Sequence, residues 1–161
     1  MSKLHYSYNQ IHDLCISLAN KIKKKYNPDV ILAIGGGGFI PARIIRNIID
    51  VPIVTLTINY YDKNNNITKN PNIVQWVDEE LIRNKNVLII DEIDDTRKTL
   101  NFIINKIDKL SSSLAIGVIH NKLKSKETNI SVPYFSGEEI EDKWVVYPWD
   151  NCNTTNATCI I

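Results

Sequence analysis

The sequence has little cysteine and no apolar run long enough to cross a bilayer. Cys15, Cys152 and Cys159 are an odd set with no Cys-x-x-Cys spacing, which argues against a disulfide framework or a cysteine zinc site. Cys15 falls on an apolar helix face and reads as packing. Cys159 stands one position too close to the end for a prenylation box. No segment approaches the roughly 20 apolar residues of a membrane span. The amino end, Met1-Ser2-Lys3-Leu4-His5-Tyr6, lacks the apolar core of a signal peptide, so a cytoplasmic location is expected. Excess charge is missing too. Nineteen basic against 18 acidic side chains leave a net charge of +1, which disfavours wrapping of nucleic acid or adhesion to a membrane surface.

What is present is an ordinary globular composition, 43% hydrophobic and 23% charged over 161 residues, enough to bury one core. Neither repeats nor linkers divide it, and a single domain is expected over 1–161.

The chemistry concentrates in one stretch, Val87 to Leu100. Four consecutive apolar residues, Val87 to Ile90, read as a strand buried on both faces. Asp91, Glu92, Asp94 and Asp95 follow at its carboxyl end. Then come Thr96-Arg97-Lys98-Thr99 and a helix with Leu100, Ile103, Ile104, Ile107 and Leu110 on one face. Strand, polar loop and helix amino end make an anion cradle, because unpaired amides and the helix dipole both favour phosphate.

The remaining pattern repeats strand and helix. A helix is expected from Tyr8 to Lys25, a strand from Asp29 to Ile34, and a helix beyond Pro41 after Gly35-Gly36-Gly37-Gly38. Further strands are expected at Val51–Tyr60, Leu114–Ile119 and Trp144–Asp150, the last halted by Pro148. Asp62 to Asn72 has no apolar period and reads as a long surface loop or lid. The alternation argues for a doubly wound, mostly parallel α/β sheet, with ligands beyond the carboxyl ends of the strands.

Several side chains have both a chemical and a plain reading. Asp91 and Glu92 suit two vicinal hydroxyls or Mg²⁺; their plain reading is solvated loop charge. Asp95 to Thr99 suits a phosphate monoester, and also a capped helix start with Asp94, Asp95 or Thr96 as the cap. The glycine run fits neither a dinucleotide fingerprint nor a P-loop, and suits close approach of amides to a pyrophosphate. Lys122 suits donation to a carbonyl oxygen. Trp144 suits stacking on a flat ring or filling the core, and His120 reads as structural.

Val87 to Leu100 resembles the phosphoribosyl pyrophosphate (PRPP) motif of the type I phosphoribosyltransferases. Gly35 to Arg43 resembles that family's pyrophosphate loop, and His120-Asn121-Lys122 with Asp142 to Asp150 resembles the base-binding hood of its 6-oxopurine members, nearest the fungal hypoxanthine-guanine and xanthine type. The resemblance implies the type I fold, a twisted sheet flanked by helices with a small hood: core at about 8–122, hood from the amino terminus and about 123–150, tail at 151–161. It implies transfer of a phosphoribosyl group from PRPP to guanine, hypoxanthine or xanthine. A non-catalytic sensor of PRPP or nucleotide on the same fold, or a transferase for another base, are the alternatives.

By the same resemblance PRPP contacts Gly36, Gly37, Asp91, Glu92, Asp94, Asp95, Thr96, Arg97, Lys98 and Thr99, and Asp95 is the general acid or base facing purine N7. Lys122 donates to the 6-oxo oxygen, Trp144 stacks, and the Val145 backbone meets the far edge. Mg²⁺ lies near Asp91 and Glu92, with Asp150 holding a second ion through water. A lid with Tyr60 or Tyr61 and a homodimer or homotetramer complete the expectation. The chain departs from wider superfamily patterns at Arg97, where glycine is usual although the fungal-type branch also looks like this chain, at Gly36, where many relatives have a basic residue, and at Asn59-Tyr60-Tyr61, where many purine enzymes have a Ser-Tyr pair.

Overall fold

The computed structural model describes residues 2–61 and 67–150; the tail 151–161 and residues 62–66, where the centre of a lid is expected, lie outside the described residues. In chain order the elements are β1 (Lys3–His5), α1 (Tyr8–Lys23), β2 (Val30–Gly35), α2 (Phe39–Ile49), β3 (Ile53–Tyr61), β4 (Ile67–Gln75), β5 (Asn86–Asp94), α3 (Lys98–Ile107), β6 (Ser113–Lys122), β7 (Tyr134–Ile140) and β8 (Trp144–Val146). Single 3₁₀ turns stand at Glu79–Leu81 and Pro148–Asp150.

Six strands form the main sheet in the order β4-β3-β2-β5-β6-β7, parallel throughout except for the antiparallel β3–β4 pair. The expected α/β class and mostly parallel sheet are present. From β2 the chain moves outward through α2 to β3, and from β5 it moves the other way through α3 to β6. The β2–β5 boundary is therefore the switch point, where a crevice opens beyond the strand ends.

Burial explains the arrangement. Val87, Leu88, Ile89 and Ile90 are all fully buried. Because strand side chains alternate, Leu88 and Ile90 pack with Ile11, Leu18 and Ile22 of α1, while Val87 and Ile89 pack with Leu100, Ile103 and Ile107 of α3. Each such side chain contributes roughly 1.5–3 kcal/mol on burial. The amino end of α1 is fixed by a capping box, with Ser7 N donating to Gln10 Oε1 at 2.8 Å and Gln10 N to Ser7 Oγ at 3.3 Å.

Four expectations need correction. Residues 67–72 of the expected loop belong to β4, an edge strand that tolerates Pro71 because only one of its sides is paired. Strand β5 runs on to Asp94, so Asp91, Glu92 and Asp94 are part of the strand rather than a loop beyond it. Within the range assigned to the hood, β7 joins the main sheet; its Ser136-Gly137-Glu138-Glu139 centre offers no apolar run to announce it. The aromatic strand ends at Val146, two residues before Pro148, and pairs with β1 as a separate two-stranded parallel sheet.

Candidate active site

The glycine loop leaves β2 at the switch point and touches the acidic strand end directly. A Cβ on Gly37 would collide with the carboxylate of Glu92, and one on Gly38 would press on the carbonyl oxygens of Ile90 and Ile34, at 2.5 and 2.6 Å. Only glycine permits this approach. At Gly36 the position faces open space, with nothing within 4 Å of a Cβ.

On β5, Asp91 Oδ1 accepts from the Glu92 amide at 2.8 Å. Burial, and then the charge of Glu92, push the Asp91 carboxyl well above the usual range. Glu92 is pushed up to about 7 by burial and by Asp150. Trp149 Nε1 donates to Glu92 Oε2 at 3.2 Å, and Asp150 Oδ2 accepts from the Tyr147 amide at 3.2 Å. Crowded carboxylates of this kind favour a bound cation. Among the described residues no group of three or more His, Cys, Asp or Glu side chains is placed to hold a metal ion.

The loop from Asp95 to Thr99 borders a cavity of about 210 Å³ lined from Asp91 to Leu100. The amino end of α3 has no side-chain cap, so the capped-helix reading of Asp94, Asp95 or Thr96 is corrected, and the first-turn amides stay available to an anion. Arg97 sits at φ 74°, and its guanidinium turns back onto Asp94. The same carboxylate accepts from Tyr134 Oη at 2.9 Å. Lys126 Nζ donates to the carbonyls of Asp94 and Asp95 at 2.6 and 2.9 Å. Asp94 and Arg97 thus brace the loop from behind, and their charges are matched to each other rather than offered to a phosphate. Lys98 pairs with Glu127 at 3.2 Å, and Tyr60 Oη donates to the Lys98 carbonyl at 3.4 Å, joining the lid strand to the phosphate loop.

Lys122 ends β6 and is 6% exposed, yet its Nζ lies 3.5 Å from Asp95 Oδ1 and 3.4 Å from Asp142 Oδ1. The candidate base subsite is thereby tied to the phosphate loop on one side and to the hood on the other. Trp144, two residues past Asp142, is 60% exposed, which removes the core-filling reading and leaves an uncovered aromatic face. Val145 is buried in the core. His120 is fully buried, with Nδ1 2.7 Å from Tyr147 Oη, and burial holds its pKa down to about 4. Its structural reading stands.

Sequence pattern did not disclose Tyr134 and Lys126 behind the phosphate loop, or Lys124 and Asp142 beside Lys122. Each acts through partners at least 18 positions away, and no local spacing announces such pairs. The Tyr147–Trp149 stack, with ring centroids 4.7 Å apart, was likewise hidden in an apparent strand.

Comparison with known proteins agrees with this geometry. A family model described as a phosphoribosyl transferase domain matches residues 7–152. The chain is 35% identical to hypoxanthine-guanine phosphoribosyltransferase of Schizosaccharomyces pombe, covering 92% of this chain and 89% of that protein. It is 34% identical to xanthine phosphoribosyltransferase 1 of Saccharomyces cerevisiae, covering 92% and 90%. Among solved structures, a hypothetical protein from Neisseria gonorrhoeae with bound ppGpp superposes with a TM-score of 0.88 at 40% identity, over 97% of this chain and 93% of that one. Purine phosphoribosyltransferase from Pyrococcus horikoshii superposes with a TM-score of 0.78 at 28% identity, over 95% and 97%.

Proposed function

The chain belongs to the phosphoribosyltransferase family, and on that footing we propose that it is a purine salvage enzyme that moves the 5-phosphoribosyl group from PRPP to a 6-oxopurine, releasing the nucleoside monophosphate and pyrophosphate. The observation that carries this reading is the placement of Lys122. A buried ammonium is held at the junction of the phosphate loop and the hood, through Asp95 and Asp142, and the exposed Trp144 follows two residues after Asp142. A donor there selects a carbonyl oxygen and rejects an amino group, because an amino group would leave the buried cation facing another donor.

The uncapped amides of α3 and the Thr96 and Thr99 hydroxyls hold the 5′-phosphate, and Asp91 and Glu92 meet the ribose hydroxyls. The backbone of Gly36 and Gly37 faces the pyrophosphate. As the anomeric carbon separates from pyrophosphate it gains positive character, which the acidic strand end stabilises. Asp95 exchanges a proton with N7 of the purine as its imidazole ring is alkylated. Asp91 and Glu92 would hold Mg²⁺, and Asp150 a second ion through water; bound there, the metal would supply charge neutralisation for the pyrophosphate. Tyr60 brings the lid strand against the loop and shields the reacting carbon from water. A cytoplasmic setting and a homodimer or homotetramer belong to the same reading; no described helix is long and apolar enough to cross a membrane.

The test is turnover with Mg²⁺, PRPP and each of guanine, hypoxanthine, xanthine and adenine, with products separated by chromatography. Nucleotide from one or more oxopurines is expected. Adenine as the sole substrate would refute the role of Lys122, and no product from any base would leave the sensor reading in its place. The ppGpp bound to the Neisseria protein supports one addition, that this nucleotide competes with PRPP here. A KM for PRPP unmoved by ppGpp would exclude it.

A further inference from the structure

Lys124 lies two residues beyond the end of β6, in the turn after Lys122, and the roles derived above leave it without one. Its Nζ stands 3.0 Å from Asp95 Oδ1 and 3.0 Å from Asp142 Oδ2. Lys122 meets the same two carboxylates at 3.5 and 3.4 Å. Two cations and two anions therefore alternate around a closed ring, Asp95–Lys122–Asp142–Lys124. The ring joins the phosphate loop, the exit of β6 and the entry to the hood strand. Lys124 is tuned to stay charged: its close contacts with the carboxylates of Asp142 and then Asp95 raise its pKa, and Asp142 is held below its ordinary range chiefly by Lys124.

The ring contains both groups assigned to the purine. On the proposed reaction, Asp95 must present its carboxyl to N7 and Lys122 must present an N–H to the 6-oxo oxygen. Both adjustments stretch the Asp95–Lys122 edge, already the longest at 3.5 Å. Without Lys124, the Asp95 carboxylate would lose its closest ion-pair partner, the one at 3.0 Å, at that moment, and Asp142 would keep Lys122.

We propose that Lys124 is a positioning residue for the reaction: it holds Asp95 in place when the purine draws Lys122 away, while Asp142 anchors both lysines on the hood side. Lys122 keeps one N–H on Asp142 and offers another to the base, since an ammonium carries three donors. Purine entry becomes an exchange of one ring edge instead of the exposure of two bare charges.

A purely structural role for Lys124 makes a different forecast. Its side chain is 28% exposed, and ion pairs with that access to water contribute only about 0–1 kcal/mol to stability. The experiment measures kcat and KM for Lys124→Met, Lys124→Arg, Asp95→Asn and the Asp95→Asn/Lys124→Met double variant, with hypoxanthine and PRPP. Lys124→Met should lower kcat roughly tenfold, the loss of one close charge contact, with KM for PRPP within about threefold of wild type. Lys124→Arg should recover most of the loss. In the Asp95→Asn background the same change should have little further effect, because it acts through Asp95. Losses that multiply in the double variant, an unchanged kcat in Lys124→Met, or no recovery with arginine would each overturn the proposal. Since the proposal rests on the transferase reading, absence of turnover by the wild type would overturn both, whereas normal wild-type turnover with any of those three outcomes overturns only the role of Lys124.

Discussion

Arg97 holds a left-handed backbone, φ 74°, while its guanidinium donates to Asp94 Oδ2 from Nε at 2.9 Å and from Nη2 at 2.7 Å. The Asp94 side chain is completely buried, and the guanidinium also lies over the Tyr134 ring, 5.2 Å from its centroid. A left-handed backbone position, which glycine adopts most readily, is thus occupied by a residue that offsets its backbone strain with a buried ion pair. Arg97→Ala keeps the strain and leaves the buried Asp94 carboxylate to the more distant Lys126 Nζ, at 3.6 Å, and the Tyr134 hydroxyl, so it should cost about 3 kcal/mol, the low end for breaking a buried pair. Arg97→Gly removes the strain, worth roughly 1–2 kcal/mol, and should be correspondingly less harmful. Urea unfolding of the two variants measures the difference; equal losses would contradict this account of the turn.

The glycine loop supplies a paired test. Gly37→Ala should raise KM for PRPP by roughly tenfold or more, since its methyl displaces the Glu92 carboxylate. Gly36→Lys has open space to occupy and adds a cation beside the pyrophosphate, so KM should fall by roughly threefold, the worth of one screened charge contact. Initial rates at varied PRPP measure both. A reversed order of effects would place the pyrophosphate elsewhere.

Asp95→Asn keeps size and removes proton exchange. Its kcat should drop by about 10²–10⁴, with KM for PRPP changed by less than about threefold. A parallel fall in PRPP affinity would make Asp95 a phosphate-loop residue and nothing more.

His120 makes folding pH-dependent. Its pKa is held near 4 in the folded state by burial against Tyr147 and Tyr6, which outweighs the upward pull of Glu138, whereas the unfolded chain takes up its proton near the ordinary value of 6.5. The unfolded state binds the proton first on acidification, so stability is lost as pH falls from 6.5 toward 4, by at most on the order of 3 kcal/mol. Asp91 and Glu92, whose pKa values are raised in the folded state, oppose this trend over the same range. Comparison with His120→Gln cancels their contribution. The difference in urea midpoint between wild type and variant should shift against the wild type between pH 7 and pH 5, and a constant difference would show that His120 does not titrate in this way.

Much of this was legible in the chain itself. The buried strand Val87–Ile90, the glycine run after β2 and the helical face Leu100–Ile103–Ile107 are local patterns, and periodicity reads them directly. Arg97 was legible only as an exception to a family pattern, because its partners Asp94 and Tyr134 lie 3 and 37 positions away and meet it only in the folded chain. The pairing of β1 with β8 was invisible, since three-residue strands carry no period. The ring of Asp95, Lys122, Asp142 and Lys124 also depends on three segments meeting, and charge in a loop reads as solvated surface until its neighbours are known.

The central claim is that one site joins a phosphate cradle at Asp95–Thr99 to a purine subsite marked by Lys122 and Trp144. Crystals grown with Mg²⁺, hypoxanthine and a carbocyclic PRPP analogue that cannot react test it most directly. The account requires the 5-phosphate on the first-turn amides of α3, the purine ring against Trp144, and its 6-oxo oxygen within hydrogen-bond distance of Lys122 Nζ. A purine bound away from Lys122, or a phosphate outside the α3 cradle, would contradict it.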